Sequence, residues 1–276
     1  MLYNIIGGLD LNILGLFDYD GFICKAFYAS IARNEGELEQ IEQVLIDLTK
    51  SATDKVRKLK ADKSDKVTVR LFTSGHTYKK DIYPSYKSNR KKDEYLGVFR
   101  EYVLDKYKDK IIRIDQLEAD DVITMEYQKA LQEGDYPIVI SDDKDLRYYN
   151  PFYCKINITE EPSYEDNWEN KILEQMLIGD KEDGITGIPK VGEKTAEKLL
   201  RLKGYTLSSV IQIYKEHDIP IDDCLKNLIL VTPITPEFVE DYQVGLDDKT
   251  IMNNIIGHFK FFNNKVKEVY FESQKQ

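Results

Sequence analysis

Carboxylates recur in short clusters along this chain, and the clusters fall where predicted strands and helices meet. Asp18 and Asp20 stand in FDYDG, Glu118, Asp120 and Asp121 in LEADD, Asp143 and Asp145 in SDDKD, and Asp180 and Asp183 in GDKEDG. Acids gathered in one place repel unless a counter-charge joins them, and ligands that are all oxygen select hard divalent ions such as Mg²⁺ or Mn²⁺. The last cluster runs into GIPKVGEKTA, from Gly187 to Ala196. Glycines there let backbone N–H groups approach a phosphate, and the start of the following helix favours an anion. Gly187, Lys190, Gly192, Lys194 and Thr195 are its candidate phosphate contacts. Acids suited to a metal beside a hairpin suited to phosphate point to the cutting of nucleic acid.

A second set of candidates is basic. Between His76 and Lys92 lie six cations, Lys79, Lys80, Lys87, Arg90, Lys91 and Lys92, with one acid, Asp81, and the tyrosines Tyr78, Tyr83 and Tyr86. Cations that track phosphates and rings that stack on bases suit a single strand. The net charge of −10 argues the other way, but the distribution of charge decides more than its sum.

Each cluster has a plainer account. Asp115 and Glu118 have the spacing of a capping box, and acids favour helix N-termini in any case. SDDKD can be an exposed loop with an N-cap, GIPKVGEKTA an ordinary corner between helices, and the basic stretch a solvated loop.

The elements that must position these residues are legible in outline. Ile13–Phe17, Val67–Phe72, Ile111–Ile114 and Pro137–Ile140 read as strands. Helical patterns run over Phe22–Ile31, from Glu35 to about Lys60, and from about Ala119 to Gln132. This alternation predicts an α/β fold with a mainly parallel central sheet flanked by helices. Asp18, Thr73, residues 115–121 and residues 141–145 all follow strand ends, where such sheets collect their sites. After about Trp168 helices dominate. The expected division is a core over 1–167, with the basic segment at about 74–110, and a helical subdomain over 168–276 with its hairpin at about 179–203.

The bulk composition excludes several classes. No apolar run approaches the roughly 20 residues of a membrane span, and the N-terminus lacks the basic start of a signal peptide. Cys24, Cys154 and Cys224 are far apart and, like the three histidines, show no zinc spacing. Reduced thiols and a cytoplasmic setting are expected.

In order and separation, LEADD, SDDKDL and IGDKEDGITGIPKVGEKTAEKLL resemble the 5′-nuclease superfamily of flap endonucleases, phage 5′-exonucleases and the 5′-nuclease domains of bacterial DNA polymerases. FDYDGFICKAFYA and YKSNR support the likeness, which spans about residues 14–265. It implies a PIN-like core, a helical arch and a helix–hairpin–helix. It implies Asp18, Glu118, Asp120, Asp121, Asp143, Asp145, Asp180 and Asp183 as the acids around two Mg²⁺ or Mn²⁺ ions. Lys79, Lys87 and Arg90 resemble cations of the arch through which a 5′ strand passes, and Lys25 one that reaches the scissile region. Lys80, Lys91, Lys92 and Tyr86 join the DNA contacts, with K⁺ at the hairpin. The implied activity is 5′-3′ exonuclease and flap endonuclease on DNA or an RNA primer. A standalone monomer in a bacterial cytoplasm, or of phage origin in its host, is expected, with replication proteins as candidate partners.

The chain departs from that family in two places. Tyr19, not glycine, follows Asp18, and Thr73 stands where the second strand usually ends in a metal-binding aspartate. Asp20 is the candidate to fill the gap. The departure motivates two rivals: a flap-binding protein with weak catalysis, and a haloacid-dehalogenase-type phosphatase using Asp18 as nucleophile and Asp20 as acid/base, with Thr73 and Asp180/Asp183 in support.

Overall fold

The computed structural model describes residues 12–59, 66–77, 79–115, 117–150, 152–157 and 168–232. Five parallel strands form the central sheet: β1 (Ile13–Asp18), β2 (Val67–Phe72), β3 (Ile111–Ile112), β4 (Tyr136–Ile140) and β5 (Tyr153–Cys154), in the order β3-β2-β1-β4-β5. β1 is central and buried along its whole length, as a strand covered on both faces must be. Its alternation splits the core. Ile13 and Phe17 face one side, with α1 (Tyr19–Ile31), α2 (Leu38–Leu59) and the later α4 (Glu94–Lys106). Leu14 and Leu16 face the other, with α5 (Ala119–Glu133).

Register explains where the acids go. Asp18 stands opposite Phe72, and Phe17 opposite Ile140. The residues that follow, Thr73 and Ser141, therefore leave the sheet beside Asp18 at one carboxyl edge.

Element boundaries differ from the expected ones for local reasons. The first helix begins at Tyr19, three residues before Phe22, because the Asp18 carboxylate accepts the Gly21 N–H and caps it. β3 stops at Ile112, two residues short, and Gly75 donates its N–H to the Leu117 carbonyl across the chain that leaves it. The capping box on α5 pairs Glu118 with Asp121 in place of Asp115 with Glu118.

The basic stretch holds the single turn α3 (Lys79–Ile82), then irregular chain, then α4, whose N-cap Asp93 accepts the Tyr95 and Leu96 N–H groups. α6 (Lys144–Tyr149) follows β4. Beyond lie α7 (Trp168–Ile178), the two-stranded hairpin β6 (Gly179–Asp180) and β7 (Ile185–Thr186), α8 (Glu193–Lys203), α9 (Leu207–Glu216) and α10 (Ile221–Val231). Apolar residues of α7 to α10 join the core on the Leu14 side of the sheet. Residues 233–276 of the expected helical part lie outside the described residues.

Candidate active site

At the carboxyl edge of the sheet opens a cleft of about 700 Å³. Asp18, Asp20, Glu118, Asp120, Asp143, Asp145 and Asp183 line it, together with Lys80, Lys87 and Arg90. These acids are spread over about 165 residues of sequence and arrive on four different segments.

Asp18 ends β1 almost fully buried, and Ser141 Oγ donates to its Oδ2 at 2.6 Å. Glu118 is the N-cap of α5, and its own N–H donates to Asp121 Oδ2 at 3.0 Å. Lys87 Nζ lies 2.5 Å from Glu118 Oε1, and Lys79 Nζ lies 3.3 Å from Oε2. Tyr86 OH donates to the same Oε2 at 3.0 Å. Asp143 caps α6 by accepting the Asp145 N–H at 2.8 Å. Asp183 lies in the turn between β6 and β7 and receives Arg90 Nη2 at 2.6 Å.

Backbone contacts hold the basic segment on that turn. The Lys87 N–H donates to the Asp183 carbonyl at 2.8 Å, and Asn89 Nδ2 donates to the Lys181 carbonyl at 3.3 Å. Gly184 has a φ of +72°, and a Cβ on it would lie 2.7 Å from the Ser85 carbonyl oxygen. Only glycine satisfies both the turn and the close approach. Gly187 is similarly confined: a Cβ there would meet the Ile178 carbonyl oxygen at 2.1 Å.

Other candidates fall outside the cleft wall. Asp121 is fully buried and faces Lys79, at 3.5 Å. Asp180 accepts the Glu182 and Asp183 N–H groups within its own turn and faces an adjoining groove with Asp145, Lys181 and Lys194. Lys25 pairs with Asp142 at 2.6 Å. Lys91 and Lys92 are exposed, as are Lys190, Lys194 and Thr195 around the hairpin.

Two candidates lie buried. Lys79 is only 4 % exposed, a partner of Glu118 and Asp121. Tyr86 is only 2 % exposed beneath Lys87, whose Nζ sits 5.0 Å from the ring centre, so the ring supports the site and is not open for base stacking. Tyr78 lies outside the described residues.

Charge is unevenly balanced across the cleft. Burial works to raise Glu118, but Lys79 and Lys87 overcome it and hold the carboxyl down at about 2. Asp183 and Asp20 are paired as well, with Arg90 and Arg100, while burial governs three others. Burial, with Asp20 and Asp143 nearby, pushes Asp18 up to about 7 against the Ser141 hydrogen bond. Burial and Asp143 push Asp145 up to about 6, and burial drives Asp120 well above the usual carboxylate range.

Among the described residues, no three Asp, Glu, His or Cys side chains are gathered tightly enough to hold an ion as they stand. The donor chemistry nonetheless fits a divalent cation. Asp145 Oδ1 is buried without a partner, and the acids around it are short of positive charge.

Sequence reasoning missed Ser141, Ser74, Arg100 and Arg113. The last three line the cleft. Ser141 lay within a quoted cluster and was detectable as the first residue after β4. Arg100, in mid-helix and 80 positions from the Asp20 it contacts, gave no signal.

Residues 13–164 match the family described as 5′-3′ exonuclease, N-terminal resolvase-like domain. A DNA polymerase I of Bacillus caldotenax is 33% identical over 160 residues, which are 51% of this chain and 18% of that protein. The chain thus spans about a fifth of the length of that relative. Among solved structures, a bacteriophage T5 5′-exonuclease with bound zinc superposes with a TM-score of 0.61 at 17% identity, over 95% of this chain and 99% of that one. A T5 flap endonuclease complexed with DNA and metal ions superposes with a TM-score of 0.56 at 16% identity, over 95% and 99%. These likenesses show the fold.

Proposed function

Because this chain belongs to the 5′-3′ exonuclease family with an N-terminal resolvase-like domain, we propose that it hydrolyses DNA, or an RNA primer on DNA, from a 5′ end and at 5′ flaps. The observation that carries this reading is the convergence of acids from four segments, with Lys87 and Arg90 over them, on one cleft.

The ligand sets proposed are Asp18, Glu118 and Asp120 for one ion, and Asp143, Asp145 and Asp180 or Asp183 for a second. Two divalent ions, Mg²⁺ or Mn²⁺, would supply a hydroxide at neutral pH and neutralise charge on the leaving oxygen. The chain's residues do the rest. Asp121 fixes the Glu118 backbone through their reciprocal cap. Ser141 orients Asp18. Lys87 and Arg90 lie where a phosphate entering the cleft would meet them, and exchange their carboxylate partners for it. Lys80, Lys91, Lys92 and Lys25 would guide the single strand. Lys190, Lys194 and the backbone from Gly187 to Thr195 would grip the duplex, where K⁺ is an expected companion. Products would carry a 5′-phosphate and a 3′-hydroxyl. A monomer working with replication proteins in a bacterial or phage-infected cytoplasm fits this role.

A second reading, a flap-binding protein with weak catalysis, is favoured by Thr73, which provides no carboxylate, and by the described acids, no three of which are gathered tightly enough to hold an ion as they stand. The phosphatase reading is set aside. Asp20, its acid/base, is held by Arg100 and the Ser74 N–H, and the family is a different one.

Cleavage of 5′-labelled flap, duplex and single-stranded DNA with Mg²⁺, Mn²⁺ or EDTA tests the reading. Metal-dependent cutting at the junction or from the 5′ end is expected. Tight flap binding without cutting in any metal selects the binding protein.

A further inference from the structure

Arg100 lines the acidic cleft yet has no part in the reading above. It rises from α4, the helix that follows the basic segment. Its Nε donates to Asp20 Oδ1 at 2.8 Å and its Nη2 to the Ser74 carbonyl at 2.8 Å. The second Asp20 oxygen accepts the Ser74 N–H at 2.7 Å. Ser74 Oγ in turn accepts the N–H of Ala119, the residue after Glu118, at 3.0 Å. Two side chains and the Ser74 backbone thus form a closed set at the end of β2, tied on one side to Asp18's helix and, through Ser74 Oγ, on the other to α5. Beside it the Thr73 hydroxyl is buried without a partner.

We propose that Arg100 is a positioning residue: a fixed cation that withdraws Asp20 from the metal-ligand set and braces the wall between Asp18 and Glu118. The inference rests on the proposed metal site, which it deepens. A guanidinium stays charged at any working pH, and its planar donors are spread here over the Asp20 carboxylate, the Ser74 carbonyl and, through Nη1 at 3.3 Å, Glu101. A divalent ion approaching Asp20 would have to displace the Nε–H contact and would be repelled by the guanidinium. Removing the guanidinium frees a carboxylate and lifts the repulsion. The predicted sign is therefore unusual, since deleting a side chain from the cleft tightens metal binding.

The test is a Mn²⁺ titration of the whole chain without DNA, read by the electron paramagnetic resonance of free Mn²⁺. Arg100→Ala should bind Mn²⁺ at least about threefold more tightly, because a nearby positive charge has gone. Arg100→Lys, which keeps the charge, should stay near wild type. The double variant Arg100→Ala/Asp20→Asn should return to the wild-type value, and Asp20→Asn alone should weaken binding by no more than about threefold, the effect of one nearby charge, if Asp20 is no ligand. Binding weakened about tenfold or more in Asp20→Asn, an unchanged or weaker Arg100→Ala, or a rise that survives in the double variant would each overturn the proposal. Should Arg100→Ala fail to fold, Asp20→Asn alone still decides. Flap cleavage by the wild type, measured in parallel, separates the two failures: absent cleavage with the predicted Mn²⁺ pattern sinks the nuclease reading and leaves Arg100 its role.

Discussion

Asp145 carries a conflict that the isolated fold does not resolve. Its Oδ1 is buried and unpaired, and Asp143, Asp180 and Asp183 all add negative charge around it. Such strain persists where function requires it. Asp145→Asn should stabilise the metal-free protein by about 1–3 kcal/mol in urea unfolding while lowering flap cleavage by two orders of magnitude or more; equal stability and full activity would remove Asp145 from the site. Thr73 poses a milder case. Its hydroxyl is buried without a partner, so Thr73→Val should hold or raise stability by up to about 1 kcal/mol, and a loss beyond about 2 kcal/mol would mean that the hydroxyl has a partner. The pH dependence follows from the same residues. Asp18 is raised from 3.8 to about 7 in the fold, so the native state keeps a proton that the unfolded chain releases. That contribution is full below pH 3.8 and is lost as pH rises through about 7. In EDTA the unfolding midpoint should fall between pH 4 and 7 for this group, and added Mg²⁺ should flatten the fall.

Elements set these residues, and here sequence was a good guide to some and silent about others. Val67–Phe72 stands as expected because β-branched alternation is a local signal, and the helix expected after GIPKVG opens at Glu193, just past a glycine-bounded turn. The burial of Lys79 and Tyr86 was not legible. A lysine and a tyrosine in a basic stretch look exposed until Glu118 and Asp121 arrive from 32 and 42 positions away. The same limit hid the network that joins α2 to α4. Glu42 is buried there and accepts hydrogen bonds from Tyr102, Lys106 and Tyr107. Burial opposes its charge, but those three donors outweigh it and hold its carboxyl below the usual range. A depressed carboxyl stabilises above its unfolded pKa and stops doing so as pH falls through the folded one. Glu42→Gln should lower the melting temperature at pH 7 by on the order of a few degrees, and the difference should shrink toward pH 3. At the hairpin, Lys190→Ala with Lys194→Ala should weaken duplex binding and reduce the salt slope by up to about two units; an unchanged slope would refute its contact with phosphate.

At the scale of the whole molecule, parallel strand order explains why acids so distant in sequence meet. β1 lies at the centre with β2 and β4 on either side, so three chain exits open side by side. Alternating strand and helix signals predict that arrangement, and the site's location was legible for the same reason. Its charge balance was not, because the sum of −10 conceals a cleft in which cations already sit on three of the acids, Glu118, Asp183 and Asp20. The contact of Ser85, Lys87 and Asn89 with the turn at 181–184 then has a consequence for selectivity. The segment suited to a single strand and the hairpin suited to a duplex share one seam, so neither can shift without disturbing the other. A ligand that engages only one pulls against the seam alone, whereas a junction loads both sides at once. On the proposed function, a junction should then bind more tightly than the separate affinities for single strand and duplex predict.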